Sequence, residues 1–99
     1  MSQFREDPFV IFTLENAIQE HGLNHLRVRK RGDLLTFESG PKQDPVRHIR
    51  LRRATQQWYF LEIATHDGQW QRVPTIRARA SHVFETVIRE FPWVLMPIE

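Results

Sequence analysis

Apolar residues near the start of the chain recur with the spacing of an amphipathic helix. They are Phe9, Phe12, Leu14, Ala17 and Ile18. Asp7 and Pro8 precede them, and these residue types favour the N-cap and the first turn of a helix. Gly22 follows and suits the left-handed conformation that commonly ends a helix. The pattern predicts a first helix over about residues 8–21.

After this helix the apolar positions alternate with polar ones, which is the period of a β-strand. Leu26 and Val28 alternate with arginines, and a turn at residues 31–33 leads into the apolar run 34–38. This arrangement predicts a hairpin. Residues 39–45 contain one glycine and two prolines, so we expect the least structured internal loop there.

Two longer strand-like runs follow, over residues 46–53 and 58–65. A turn at His66-Asp67-Gly68 leads into a short strand over residues 69–73, which Pro74 is expected to close. Short connections of this kind favour strands that pair with their neighbours in sequence. The runs therefore predict an antiparallel meander of four or five strands.

A second helical stripe precedes Pro92, which is expected to end the helix. The stripe consists of Ile76, Ala80, Val83, Phe84, Val87, Ile88 and Phe91. The segment after it, residues 93–98, is apolar throughout. An exposed apolar segment promotes association, so we expect this one either to pack on the core or to form a homodimer contact.

These elements predict one α+β domain over residues 1–99. It has an N-terminal helix, a four- or five-stranded antiparallel meander, and a C-terminal helix packed on one sheet face. A chain of this length suits a single domain. The opposite sheet face is left to water or to a partner.

The amino-acid composition excludes several kinds of functional site. The chain has no cysteine, which excludes disulfides, a thiolate nucleophile and cysteine-ligated metals. Its first residues carry acidic side chains where a signal peptide has basic ones, and no run approaches the roughly 18 apolar residues of a membrane span. We expect a cytoplasmic protein with no cofactor and no membrane partner.

The charge is distributed unevenly along the chain. Residues 24–53 contain nine basic and three acidic side chains, a net of +6, whereas the whole chain carries +2. Twelve of the fourteen basic residues are arginine, whose planar fork suits phosphate and carboxylate groups. This asymmetry favours an anionic partner for one face of the domain.

Alternation with apolar residues predicts which side chains form that face. The predicted binding residues are Arg27, Arg29, His48, Arg50, Arg52 and Trp58. Trp58 is included as a stacking surface beside the positive charges. The partner is either an acidic protein surface or a nucleic acid, and the small net charge slightly favours the protein. Because exposed charges contribute little to stability, replacing Arg27, Arg50 and Arg52 by Gln is expected to preserve the fold.

Catalytic alternatives depend on histidine. His21 and His25 are four residues apart, but Gly22 is expected to end the helix between them, so no metal site is predicted. Positive neighbours would keep His48 neutral, as a general base must be, and Arg50 and Arg52 would stabilise a phosphorane. A small metal-free ribonuclease is therefore one alternative, and a single-stranded RNA-binding protein is another. Since no second acid is identifiable, the sequence favours a non-enzymatic binding module.

Overall fold

A computed structural model describes residues 9–55 and 57–97, without the side chain of Thr75. Five strands follow the first helix, and a second helix and a short 3-10 helix follow the strands. The elements are α1 (Val10–Glu20), β1 (Arg27–Arg31), β2 (Leu34–Ser39), β3 (Val46–Arg53), β4 (Tyr59–Ala64), β5 (Trp70–Ala78), α2 (Ala80–Glu90) and the 3-10 helix Pro92–Leu95. The α+β fold expected from the sequence is confirmed.

The five strands form one sheet in the order β1-β2-β3-β4-β5, and every neighbouring pair is antiparallel. Short turns explain this meander. Between β1 and β2 the turn is Gly32-Asp33, with Gly32 at a φ of 58°. Glycine at the first central position is typical of the tight turns whose twist matches that of the strands they join.

Both helices pack on one side of the sheet, which we call the core face. Its central side chains are almost fully buried. They are Leu35, Phe37, Ile49, Leu51 and Leu61. Helix α2 contributes Phe84, whose ring stacks on that of Phe37 with centroids 4.6 Å apart. The buried residues of α1 and α2 recur at three- and four-residue spacing, so each helix presents one apolar stripe to the core.

Two sequence expectations at the end of the sheet were wrong. Strand β5 does not end at Pro74 but continues to Ala78, so Ile76 belongs to a strand and α2 begins only at Ala80. The pairing explains how proline is tolerated. Leu61 pairs with Val73 while Phe60 pairs with Arg77, which leaves residues 74–76 opposite no residue of β4. Pro74 lacks a backbone N–H, but it lies where no hydrogen bond to β4 is required.

The predicted start of the first helix is only partly observed. Helix α1 begins at Val10, and the expected cap, Asp7-Pro8, lies outside the described residues. Its end agrees with the expectation, because Gly22 follows with a φ of 69°, a conformation that glycine adopts without steric cost. The backbone N–H of Leu23 then donates to the carbonyl of Ile18.

The apolar C-terminal segment divides between core and solvent. Leu95 is buried in the core, whereas Trp93 is 67% exposed and its ring meets that of Phe91 edge-on. The segment is thus anchored on the core face by Leu95. Among the described residues, no helix is long and apolar enough to cross a membrane.

Candidate functional site: the arginine-rich open face

The sheet face opposite the helices, which we call the open face, is covered by charged side chains. Cross-strand pairing places Arg29, Thr36, Arg50, Glu62 and Arg72 in one row across all five strands. Contacts and cross-strand pairing assign eight arginines and two glutamates to this face, a net of +6. The arginines are Arg27, Arg29, Arg31, Arg47, Arg50, Arg52, Arg72 and Arg77, and the glutamates are Glu38 and Glu62. Arginine is therefore the most frequent residue type on this side of the sheet.

Glu62 organises one half of the open face. It is only 7% exposed, and its Oε1 accepts a hydrogen bond of 2.7 Å from Nε of Arg50. Its other oxygen lies 3.5 Å from Nε of Arg52 and 3.9 Å from a terminal nitrogen of Arg72. A buried carboxylate needs such compensation because leaving it unpaired is costly. Glu62 thus holds three arginines in place, and we call these four residues the Glu62 cluster.

Two aromatic rings support the arginines of the Glu62 cluster. The guanidinium carbon of Arg50 lies 4.3 Å from the centre of the Trp70 ring, and that of Arg72 lies 4.6 Å from the centre of the Phe60 ring. Attraction between a cation and the ring face stabilises this stacking and restricts the guanidinium planes. The cluster therefore presents oriented guanidinium groups rather than freely moving ones.

Glu38 organises the other end of the face. It is 4% exposed and accepts a 2.9 Å hydrogen bond from Arg27. Arg27 also donates a hydrogen bond of 2.6 Å to the carbonyl of Gly40, in the loop that joins β2 to β3. Arg27 and Arg50 thus both pair with buried carboxylates. The expectation that these arginines are dispensable for folding disagrees with their contacts, because each removal leaves a buried charge with fewer partners.

Three exposed arginines of the open face lie around one cleft. Arg29, Arg31 and Arg47 are exposed, and within the described parts of the chain no carboxylate lies at ion-pair distance from any of them. They line one cleft of about 170 Å³. Leu34, Thr36, Glu38, Arg50 and Trp70 also line it, and the carboxylate of Glu38 is paired with Arg27. We call these three residues the free arginines.

His48 does not lie on the open face, in contrast to the sequence prediction. Phe37 pairs with Ile49 but Glu38 pairs with Arg47, so His48 is an extra residue in a β-bulge. A bulge interrupts the alternation of sides. His48 therefore points to the same side as Ile49, is 3% exposed, and is separated by the sheet from Arg50.

Both ring nitrogens of His48 have partners on the core face. Nδ1 lies 2.9 Å from the carbonyl oxygen of Val94 and must donate to it, which leaves Nε2 to accept from the hydroxyl of Ser39 at 2.8 Å. Burial lowers the pKa of His48, the hydrogen bond to Val94 opposes this effect, and nearby His25 adds to it. His48 is thus a neutral residue that fastens the 3-10 helix.

This placement removes the geometry on which the ribonuclease alternative depended. A general base must reach the substrate that the arginines bind. His48 instead faces the helices, while Arg50 and Arg52 face away from them. His25 lies beside His48, with ring centroids 6.0 Å apart, and its Nε2 lies 2.6 Å from the carbonyl oxygen of Leu95.

The predicted stacking residue, Trp58, lies in the connection before β4 and is 47% exposed. Its carbonyl accepts hydrogen bonds from the backbone of Ala54 and Thr55, and its side chain does not line the cleft of the free arginines. The tryptophan that does line this cleft is Trp70. The sequence showed an alternating Gln69-Trp70-Gln71-Arg72 pattern, which was the signal for a ring on one sheet face.

Sequence analysis also missed Glu62 as the centre of the arginine cluster. A glutamate within an apolar strand is a signal for a buried carboxylate, but its partners depend on the register between strands.

Within the described residues, no group of three or more histidine, aspartate or glutamate side chains is arranged to hold a metal ion. Comparison with protein-family models, curated proteins and solved structures finds no match to this chain.

Proposed function

We propose that this protein is a binding module that docks an anionic partner through its open face. The observation that carries the proposal is the set of free arginines, which line one cleft on a face of net charge +6. Positive charges held close together repel one another, and an anion relieves this repulsion. Arginine also binds phosphate and carboxylate with two parallel hydrogen bonds.

Support for the proposal comes from how the face is built. Glu62 and Glu38 neutralise arginines that are partly buried, whereas the free arginines are left exposed beside them. The neighbouring Arg50 is held by both Glu62 and Trp70, so the margin of the cleft is ordered before a partner arrives. Preorganisation lowers the entropy that binding must overcome.

The test compares two pairs of charge-removing substitutions. In Arg29→Gln/Arg47→Gln, both arginines leave the cleft; in the matched control Arg79→Gln/Arg89→Gln, the same charge is removed on the side of helix α2. Retention on immobilised heparin and affinity for poly-glutamate and for oligonucleotides are measured for both variants. We expect the first variant to lose binding to every polyanion that the parent protein binds, and the control to keep most of it.

Equal losses in the two variants would mean that binding follows net charge and not this face, which would overturn the proposal. So would a parent protein that binds none of the polyanions at low salt.

Three expectations stay predictions from the sequence. They are the absence of enzymatic activity, the cytoplasmic location and a homodimer through the C-terminal segment.

A further inference from the structure

We infer that the anionic partner of the open face is a single-stranded nucleic acid, with phosphates on the free arginines and bases against the Glu62 cluster. This inference rests on the proposed function. It follows from what the face contains besides charge, from its shape and from its width.

Aromatic surface lies in the same cleft as the free arginines. Trp70 lines the cleft, and the Arg50 guanidinium stacks on its ring. Phe60 and Arg72 form a second stack on the same face. Unpaired bases stack on aromatic rings and on guanidinium planes. Base stacking gives a single-stranded nucleic acid a contact with these surfaces that carboxylate side chains cannot make, so charge and rings together favour a nucleic acid.

The open face is wide enough for a short strand whose bases reach across the sheet. Arg29 and Arg31 lie on the edge strand β1, while Trp70 and the stacked pair of Arg72 with Phe60 lie on β4 and β5. With strands about 4.8 Å apart, β1 and β5 are separated by about 19 Å. That separation accommodates a strand of a few nucleotides whose backbone follows the free arginines and whose bases point across the sheet.

The shape of the face favours a single strand over a double helix. Reading a duplex requires an element that enters a groove, such as a helix or a protruding two-stranded ribbon. The open face is instead the broad surface of a five-stranded sheet, with a cleft of about 170 Å³. Single strands expose the bases that such a surface can stack.

The inference predicts a specific dependence on salt. Three phosphate contacts on a single strand give a slope of about −2 in a plot of log affinity against log salt. Affinity should then fall by about 20-fold between roughly 50 and 200 mM salt. Removing Arg29 and Arg47 leaves one contact, so the slope should fall to about −0.7.

The experiment measures fluorescence anisotropy of dye-labelled oligo-uridine and oligo-thymidine, each of about 15 nucleotides, with a duplex and poly-glutamate as competitors. We expect either single strand to bind at least tenfold more tightly than the duplex or poly-glutamate. A difference between the two single strands distinguishes RNA from DNA as the source. Trp70→Leu should lower affinity about tenfold with an unchanged salt slope, because a stacking surface carries no charge.

Trp93→Leu is the matched control, since Trp93 is exposed on the side of the helices. Trp70→Phe tests the same role with a smaller change of shape and should retain most of the affinity, even if Trp70→Leu lowers the melting temperature. If poly-glutamate binds more tightly than either single strand, and if Arg29→Gln/Arg47→Gln loses this binding, the inference of a nucleic-acid partner is wrong and the proposed function stands. Equal binding of duplex and single strand, or equal effects of Trp70→Leu and Trp93→Leu, would overturn the inference as well.

Discussion

Each face of the sheet contains buried polar side chains, and these side chains find their hydrogen-bond and ion-pair partners in different ways on the two faces. On the core face, His48 is neutral and binds one hydroxyl and one carbonyl, so no net charge is buried. On the open face, Glu62 is charged and is matched by arginines whose other sides reach water. A polar group inside a core must be satisfied without charge, whereas a group under a wet surface can be satisfied by ions.

This difference also separates the structural role of the core face from the binding role proposed for the open face. The polar contacts of the core face hold one segment, the 3-10 helix, through the carbonyls of Val94 and Leu95. Those of the open face fix arginines at the margin of a cleft whose other arginines stay free. Substitutions on the core face should therefore change stability. Substitutions of the free arginines should change binding and leave stability nearly constant.

The largest expected effect lies on the core face. Leu95→Ala should lower the free energy of unfolding by about 2–5 kcal/mol, because it leaves a cavity where a fully buried side chain anchors the C-terminal segment. Trp93→Ala removes an exposed ring two residues earlier and should cost about 1 kcal/mol or less. Urea denaturation measures both. Similar losses in the two variants would show that the segment is not anchored by Leu95.

A smaller effect is expected within the open face. Arg50→Gln removes the shortest partner of buried Glu62 and should cost about 1–3 kcal/mol. Arg29→Gln, in the same row of the sheet, should change stability by no more than about 0.5 kcal/mol. Thermal and chemical denaturation compare the pair. If Arg29→Gln is as destabilising as Arg50→Gln, the division between paired and free arginines is wrong.

The smallest effect is the dependence of stability on pH. Because the pKa of His48 is lowered below its ordinary value of 6.5 by burial, the unfolded chain binds a proton more readily than the folded one. Stability from this group is complete above about pH 6.5 and decreases as pH falls toward the lowered pKa. Denaturation midpoints at about pH 7 and pH 5 measure the effect.

His48→Gln keeps a donor for the carbonyl of Val94 but cannot titrate, so it should reduce the loss of stability at the lower pH. His82→Gln, at an exposed position of α2, is the control and should retain the dependence. An unchanged pH dependence in His48→Gln would contradict the buried, neutral state assigned to His48.

Much of the fold follows from local patterns. The spacing of Leu14, Ala17 and Ile18 predicted α1, and short turns with a glycine, such as Gly32-Asp33, predicted strands paired in sequence order. These features depend on neighbouring residues only. Pro74 misled the prediction because its tolerance depends on a gap in pairing with β4, which no local pattern records.

The candidate site was predicted in outline and not in detail. Alternation correctly placed Arg29, Arg50 and Arg52 on the open face. It misplaced His48, because a single extra residue in β3 shifts the side on which His48 lies. Alternation also could not distinguish paired from free arginines. Which arginines reach Glu62 depends on the register between β3, β4 and β5.

The sequence by itself determined the order of the elements, the apolar stripes of the helices and the excess of arginine on alternating strand positions. These properties depend on residue type and on spacing over a few positions, where the period of a helix or a strand acts directly. Only the tertiary structure decided which arginines are neutralised, which tryptophan lines the cleft and which face holds His48. Each of these depends on cross-strand register and on a bulge, which arise when distant segments pair and are not encoded in any one of them.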